Sequence, residues 1–244
     1  MFTILKLCLT RTPMHLWCQY PTVNVARCRR LIGRRRSITD CLAASIHSGR
    51  GGGDYLLFVG RISPEKRLDR AIEIARQTGR QLKVAAKIYD EDRAYYQNSI
   101  EPLLRDSKSF VEFIGEVGGK DKDELMGNAY ALLFPIDWPE PFGVVMIESL
   151  ACGTPVIAWN NGSVPEVLAA GETGFAVDTV DDAVKAVDDV GRLSRHACRR
   201  AFERRFDATR MARNYVDVYS RLIHNAGHHH AMETNEWPIL SHIS

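Results

Sequence analysis

Two carboxylates bracket an apolar run in Glu140-Pro141-Phe142-Gly143-Val144-Val145-Met146-Ile147-Glu148, and the second sits where local physics offers it no polar company. With a helix starting near Gly143, the residues one turn from Glu148 are Val144, Val145, Ala151 and Cys152, all apolar. A carboxylate in such surroundings is costly unless it is paired or hydrogen-bonded. The hydroxyl groups of a polyhydroxylated ligand are donors that would satisfy it. Glu140 precedes the helix and Glu148 lies inside it, so the two make different contacts rather than an acid/base pair; the plain alternative for Glu140 is an exposed loop carboxylate.

Cations stand in a second stretch, Gly60-Arg61-Ile62-Ser63-Pro64-Glu65-Lys66-Arg67. Ser63 reads as a helix N-cap with Pro64 at the first helical position, which puts Lys66 in the first turn. A cation there opposes the helix dipole by roughly 0.3 to 1 kcal/mol, where Glu or Gln normally closes a capping box. A bound anion reverses that penalty, because free N–H groups, Arg61 and Lys66 then face one negative charge. A diphosphate fits, and a solvated basic turn is the alternative. At Phe142-Gly143-Val144 a second anion-friendly terminus is expected, with Pro141 fixing the approach and Gly143 admitting a ligand close to the backbone. Asn161, Gly162 and Ser163 read as a loop, with the border of a sugar site as the alternative.

The elements that must position these groups are legible from Asp54 onward. Short β-rich runs at 55–59, 82–88, 110–114, 131–135, 155–159 and 175–177 alternate with helical patterns such as Leu68, Ala71, Ile72 and Ala75. The runs are near-continuously apolar, as in strands covered on both faces. The expected fold is α/β, a Rossmann-like doubly wound parallel sheet, which binds ligands beyond the carboxyl ends of its strands. No G-x-G-x-x-G follows the first strand, which sets aside a dinucleotide-dependent oxidoreductase.

The 45% apolar and 25% charged composition of the 244 residues is ordinary for a globular chain. Residues 1–50 are different: they hold nine of the 32 Lys/Arg but one of the 30 Asp/Glu, Asp40. They are expected to be a poorly ordered basic segment. The run Arg29, Arg30, Arg34, Arg35, Arg36 leaves contact with a membrane surface, nucleic acid or a targeting role as weaker alternatives. Gly51-Gly52-Gly53 reads as a hinge, residues 51–223 as the folded domain, and 224–244, with His228, His229 and His230, as a tail. Cys8, Cys18, Cys28 and Cys41 match no short metal-binding pattern and Cys152 and Cys198 fall in expected helices, which favours a reduced, cytoplasmic setting. Asp90-Glu91-Asp92 and Asp121-Lys122-Asp123 mimic metal-binding triplets but read as solvated helix starts, so no metal site is expected.

Taken together, GRISPEK, EPFGVVMIE and ACGTPVIAWNNGSVPEVL closely resemble the donor-binding, C-terminal half of the retaining family 4 glycosyltransferases, which have the two-domain GT-B fold. The resemblance runs from about Asp54 to Leu222. It implies that Arg61 and Lys66 hold the diphosphate of a nucleotide-sugar, that Glu148 takes the ribose hydroxyls, and that Glu140 with backbone N–H groups near Phe142 and Gly143 faces the transferred sugar. Gly60 and Val144 would line the same donor site, and the turn Gly115-Glu116-Val117 would meet the base through backbone groups. Arg61, Lys66 and Glu140 become the catalytic candidates. The resemblance further implies hexosyl transfer with retention and no cofactor or metal beyond the donor itself. Two departures stand out. Ala86-Lys87 occupies the place of a frequent glycine-rich turn, and fifty atypical residues cannot supply the acceptor-binding domain, so that domain is expected to be absent. The acceptor stays unassigned, as His15 and His47 lie in no matching motif. A non-catalytic nucleotide-sugar-binding subunit is the alternative, completed by a separate acceptor-domain chain or by self-association through Met211, Tyr215, Val218 and Tyr219 of the last helix.

Overall fold

Six apolar runs form six parallel strands in the computed structural model, which describes residues 53–206 and 210–221. The expectations for residues 1–50 and for the tail lie outside the described residues. The strands are β1 (Tyr55–Arg61), β2 (Gln81–Lys87), β3 (Val111–Phe113), β4 (Ala131–Phe134), β5 (Val156–Trp159) and β6 (Gly174–Val177), in the order β3-β2-β1-β4-β5-β6. Every pairing is parallel. β4 and β5 are buried along their whole length, which is why they read as unbroken apolar runs. β3 forms the edge, so Glu112 and Phe113 are exposed there. Phe110 and Ile114 still bond to β2, through Leu82 N to Phe110 O at 2.8 Å and Ile114 N to Val84 O at 2.9 Å.

The crossover segments include α1 (Leu68–Thr78), α2 (Glu101–Asp106), α3 (Gly119–Asn128), α4 (Val144–Ala151), α5 (Val164–Val167), α6 (Val180–Val190) and α7 (Arg195–Arg205). α1 buries Leu68, Ala71, Ile72, Ile74 and Ala75 and packs with α6 on one face of the sheet. On the other, α4 packs against both α3 and α7. This two-sided cover buries a single core from Leu56 to Phe202. α6 and α7 start on side-chain caps, Thr179 accepting from Asp182 N at 3.1 Å and Ser194 from Ala197 N at 3.3 Å.

One boundary differs from the expectation in a way that matters. The helix after β1 does not start at Pro64. Pro64–Lys66 is a single 3-10 turn, Arg67 takes a left-handed conformation (φ 52°, ψ 53°), and α1 begins at Leu68. Arg67 alone among the described non-glycine residues has a positive φ. Its guanidinium bonds Asp69 at 2.8 Å and Asp137 at 2.9 Å, and these contacts offset the strain of that conformation. Ser63 makes no side-chain cap; its hydroxyl donates to Glu65 Oε1 at 2.7 Å.

The helical stretch 210–221 carries an exposed apolar strip, with Met211, Tyr215 and Tyr219 on successive turns and the two tyrosine rings 6.3 Å apart. No helix among the described residues is long and apolar enough to cross a membrane.

Cys152 and Cys198 are free and buried, and burial pushes their thiols up to about 12 and about 11. Both should resist alkylation in the native protein at neutral pH. Because their folded values are raised, the stability they contribute is complete below the unfolded thiol value of 9.0 and is lost as pH climbs through the folded values. Urea unfolding at pH 8 and pH 10 should differ by roughly 1.4 kcal/mol per thiol, with the protein weaker at pH 10.

Candidate functional site

The sheet reverses its strand order between β1 and β4, and the carboxyl ends of those two strands feed the two loops that carry the candidate residues. The β1 loop runs from Arg61 to Arg67 and the β4 loop from Pro135 to Gly143. They are fastened to each other. Asp137 N donates to Glu65 O at 2.8 Å, and the Asp137 carboxylate takes Arg67 at 2.9 Å and Arg70 at 3.3 Å. The hydrogen bond from Arg67 holds the Asp137 carboxyl below its usual range. Arg70 also reaches Pro135 O at 3.2 Å.

Inside this clamp the Lys66 ammonium meets the Glu140 carboxylate at 2.6 Å, with the two side chains 22% and 14% exposed. Trp138 Nε1 donates to the same Glu140 oxygen at 3.1 Å, and Lys66 lies 5.5 Å from the Trp138 ring and 5.6 Å from the Phe134 ring. Glu140 is therefore a half-buried, paired carboxylate and not an exposed loop group. The loop after β5 presses on its backbone: Ser163 N donates to Glu140 O at 2.8 Å, and a Cβ on Gly162 (φ 57°) would collide with Glu140 N and O. The stretch Asn161 to Ser163 thus buttresses Glu140.

Gly143 (φ 68°, ψ 55°) is the residue at which α4 starts. A Cβ there would strike the Met146 methyl and lie 3.7 Å from Glu140 Cγ. Gly143→Ala should cost roughly 1 to 3 kcal/mol from the left-handed backbone alone, and more from the clash. Equilibrium denaturation of the variant measures this directly.

The other candidates take partners of their own. Arg61, at the end of β1, forks onto Asp92 through Nε and through Nη2 at 3.1 Å, and its Nη1 is 3.7 Å from Glu91. The hydrogen bond it donates to Asp92 raises the Arg61 guanidinium above its ordinary value. Asp92 is buried, not the solvated helix start expected of it. Register pairs Arg61 with Lys87 at the end of β2, and the two cations flank the Tyr89 ring at 5.5 Å and 5.3 Å. Lys87 bonds Glu116 at 2.9 Å, so the Glu116 side chain, exposed in the turn after β3, faces a cation. Gly115 (φ 89°) accepts from Ala86 N at 2.9 Å and Val117 is half-buried. A Cβ on Gly60 would meet nothing within 4 Å, leaving that face of β1 open to a ligand. Phe142 in the β4 loop and Val144 at the α4 start are exposed.

Glu148 is not alone either. Lys122 of α3 bonds its Oε1 at 2.6 Å, with both side chains about one-fifth exposed. The structure therefore brings Lys66, Glu140 and Gly143 into one cluster, and holds Arg61 and Glu148 on ion pairs with Asp92 and Lys122. Of the two helix termini expected to grip an anion, the one at Gly143 is present. The one at Pro64 is a lone 3-10 turn without an appreciable dipole, so anion binding there rests on side chains. Sequence reasoning missed Trp138, Lys87, Asp92 and Lys122. Trp138 stands two residues from Glu140 and carried a signal; the others meet their partners only across the fold. A separate hollow of about 320 Å³, bounded by Tyr96, Leu104 and Phe113, lies beside β3 and away from this site.

Residues 46–205 match the family of glycosyl transferases group 1. The chain is 31% identical over 183 residues to a glycogen synthase of Mycobacterium tuberculosis, covering 70% of this chain and 43% of the relative. Its structure resembles AviGT4, a glycosyltransferase involved in Avilamycin A biosynthesis, with a TM-score of 0.61 and 30% identity over 78% of this chain and 56% of the other. It also shares its fold with the sucrose-phosphate synthase of Thermosynechococcus elongatus, with a TM-score of 0.63 and 23% identity over 77% and 49% of the two chains. The chain spans about half the length of the curated relatives it matches. Its sheet is a Rossmann-like half of the GT-B architecture, and the chain belongs to the glycosyl transferases group 1 family.

Proposed function

We propose that this chain binds a nucleoside-diphosphate sugar across the carboxyl ends of β1 and β4 and serves hexosyl transfer with retention of anomeric configuration. The observation that carries this reading is the Lys66–Glu140 pair at 2.6 Å, which joins the two loops at the point where the strand order reverses. In it, residues 51–223 form the donor-binding domain of a retaining family 4 enzyme, as its C-terminal half, in the cytoplasm. The acceptor is met by a part of the enzyme outside the described residues.

Donor binding is then an exchange of partners. Lys66 rests on Glu140 and Arg61 on Asp92. A diphosphate draws Lys66 and Arg61 toward its oxygens and frees Glu140 to accept a hydrogen bond from a sugar hydroxyl. The α4 N-terminus at Gly143 presents unbonded backbone N–H groups to the same ligand. Breaking the anomeric C–O bond concentrates charge on the departing diphosphate while the sugar becomes oxocarbenium-like. Lys66 and Arg61 hold that leaving group more strongly as its charge grows, which is how binding becomes rate. Glu148 holds the ribose, and the turn Gly115-Glu116-Val117 borders the base.

A second reading is a nucleotide-sugar-binding subunit without turnover of its own. Incubating the purified chain with uridine, guanosine and adenosine diphosphate glucose and following release of nucleoside diphosphate separates the two. Release above the spontaneous rate supports the transferase. Binding without release supports the subunit, and neither binding nor release would overturn both.

A further inference from the structure

Glu148 has one oxygen engaged and one open: Lys122 donates to Oε1, and Oε2 has no hydrogen-bond donor among the described residues. Asp123, next to Lys122 in α3, is close enough to interact with the Glu148 carboxylate. Burial raises the Asp123 carboxyl, with the Glu148 charge adding to the rise and Lys122 opposing it. Without Lys122, a half-buried carboxylate would lose the cation that fixes its rotamer. α3 also follows directly on the turn Gly115 to Gly118, so Lys122 connects the segment assigned to the base with the carboxylate assigned to the ribose.

We propose that Lys122 is a positioning residue for ribose recognition: it holds Oε1 of Glu148 and so aims Oε2 at the hydroxyls of the nucleoside. The proposal rests on the nucleotide-sugar reading above. Glu148 lies five positions beyond Gly143, about 7.5 Å along α4. That distance suits one ligand touching both the helix terminus and the carboxylate. A charge-assisted hydrogen bond from a hydroxyl to Oε2 discriminates ribose from a sugar lacking it by about tenfold or more.

The test is calorimetric, on the full chain, with uridine and guanosine diphosphates and their 2′,3′-dideoxy counterparts. Wild type is expected to bind the ribonucleotide about tenfold more tightly than the dideoxy form. Lys122→Met should bring the ribonucleotide down to the dideoxy affinity while leaving the dideoxy affinity unchanged, and Lys122→Arg should restore most of the preference. In the double variant with Glu148→Gln, the loss should not exceed that of Glu148→Gln alone. Equal losses for both nucleotides in Lys122→Met would mean general damage to the fold and overturn the proposal, as would a retained ribose preference. If wild type itself shows no ribose preference, the assignment of Glu148 fails and the proposal with it. If Glu148→Gln abolishes the preference and Lys122→Met does not, only the role of Lys122 falls.

Discussion

Replacing Lys66 with alanine should lower donor affinity roughly 10- to 100-fold, the span of one lost charge-assisted hydrogen bond. The effect on transfer should be larger, about 10²- to 10³-fold, because the interaction strengthens as charge builds on the leaving diphosphate. A second consequence is thermodynamic. The variant leaves Glu140, 14% exposed, with Trp138 as its one remaining hydrogen-bond donor. An unpaired half-buried carboxylate is destabilising, so Lys66→Ala should unfold at lower denaturant than wild type. Adding Glu140→Gln should recover stability by removing the orphaned charge, and it should not recover donor binding. Calorimetry and denaturation on the two variants check both halves, and recovery of binding in the double variant would mean that Lys66 serves the fold and not the ligand.

Glu148→Gln should weaken ribonucleoside diphosphate binding by about tenfold, since the amide retains the shape of the carboxylate but accepts only neutral hydrogen bonds. It also strips Lys122 of its counter-charge, so a modest loss of stability is expected beside the loss of affinity. Inorganic pyrophosphate, which has no ribose, should bind wild type and Glu148→Gln equally. A matching loss for pyrophosphate would place Glu148 at the phosphates or in the support of the fold instead.

These two effects differ in how far they were legible. The sheet could be read strand by strand because strands buried on both faces leave unbroken apolar runs, as at 131–134 and 156–159. The left-handed start of α4 was also readable, for Gly143 after Pro141 carries a local constraint. The turn after β1 was not. Ser63-Pro64 has the chemistry of a helix start, and what breaks the helix at Arg67 is a pair of contacts to Asp69 and to Asp137, 70 residues away. Lys122 was equally hidden. On its own helix it reads as a solvated residue between two aspartates, and its meaning lies in a contact with α4, 26 residues on. Asp92 lost its solvated reading for the same reason, through Arg61. Long-range ion pairs, unlike periodicity and capping, leave no trace in the order of the residues.

Lys66, Arg61, Lys87 and Lys122 each rest on a carboxylate, so in the proposed exchange the phosphates of a ligand would trade places with Glu140 and Asp92. Affinity should then depend on salt less steeply than for a site of free cations, because the ligand replaces one ion pair with another.

The most direct test is a titration of the isotope-labelled chain with uridine, guanosine and adenosine diphosphates, followed by amide chemical shifts. For at least one nucleotide, saturable shifts should concentrate at 60–66, 115–118 and 138–148, which cover both loops of the crevice, the turn before α3 and the length of α4. Shifts confined to the hollow beside β3, or no saturable shift with any of the three, would contradict the account.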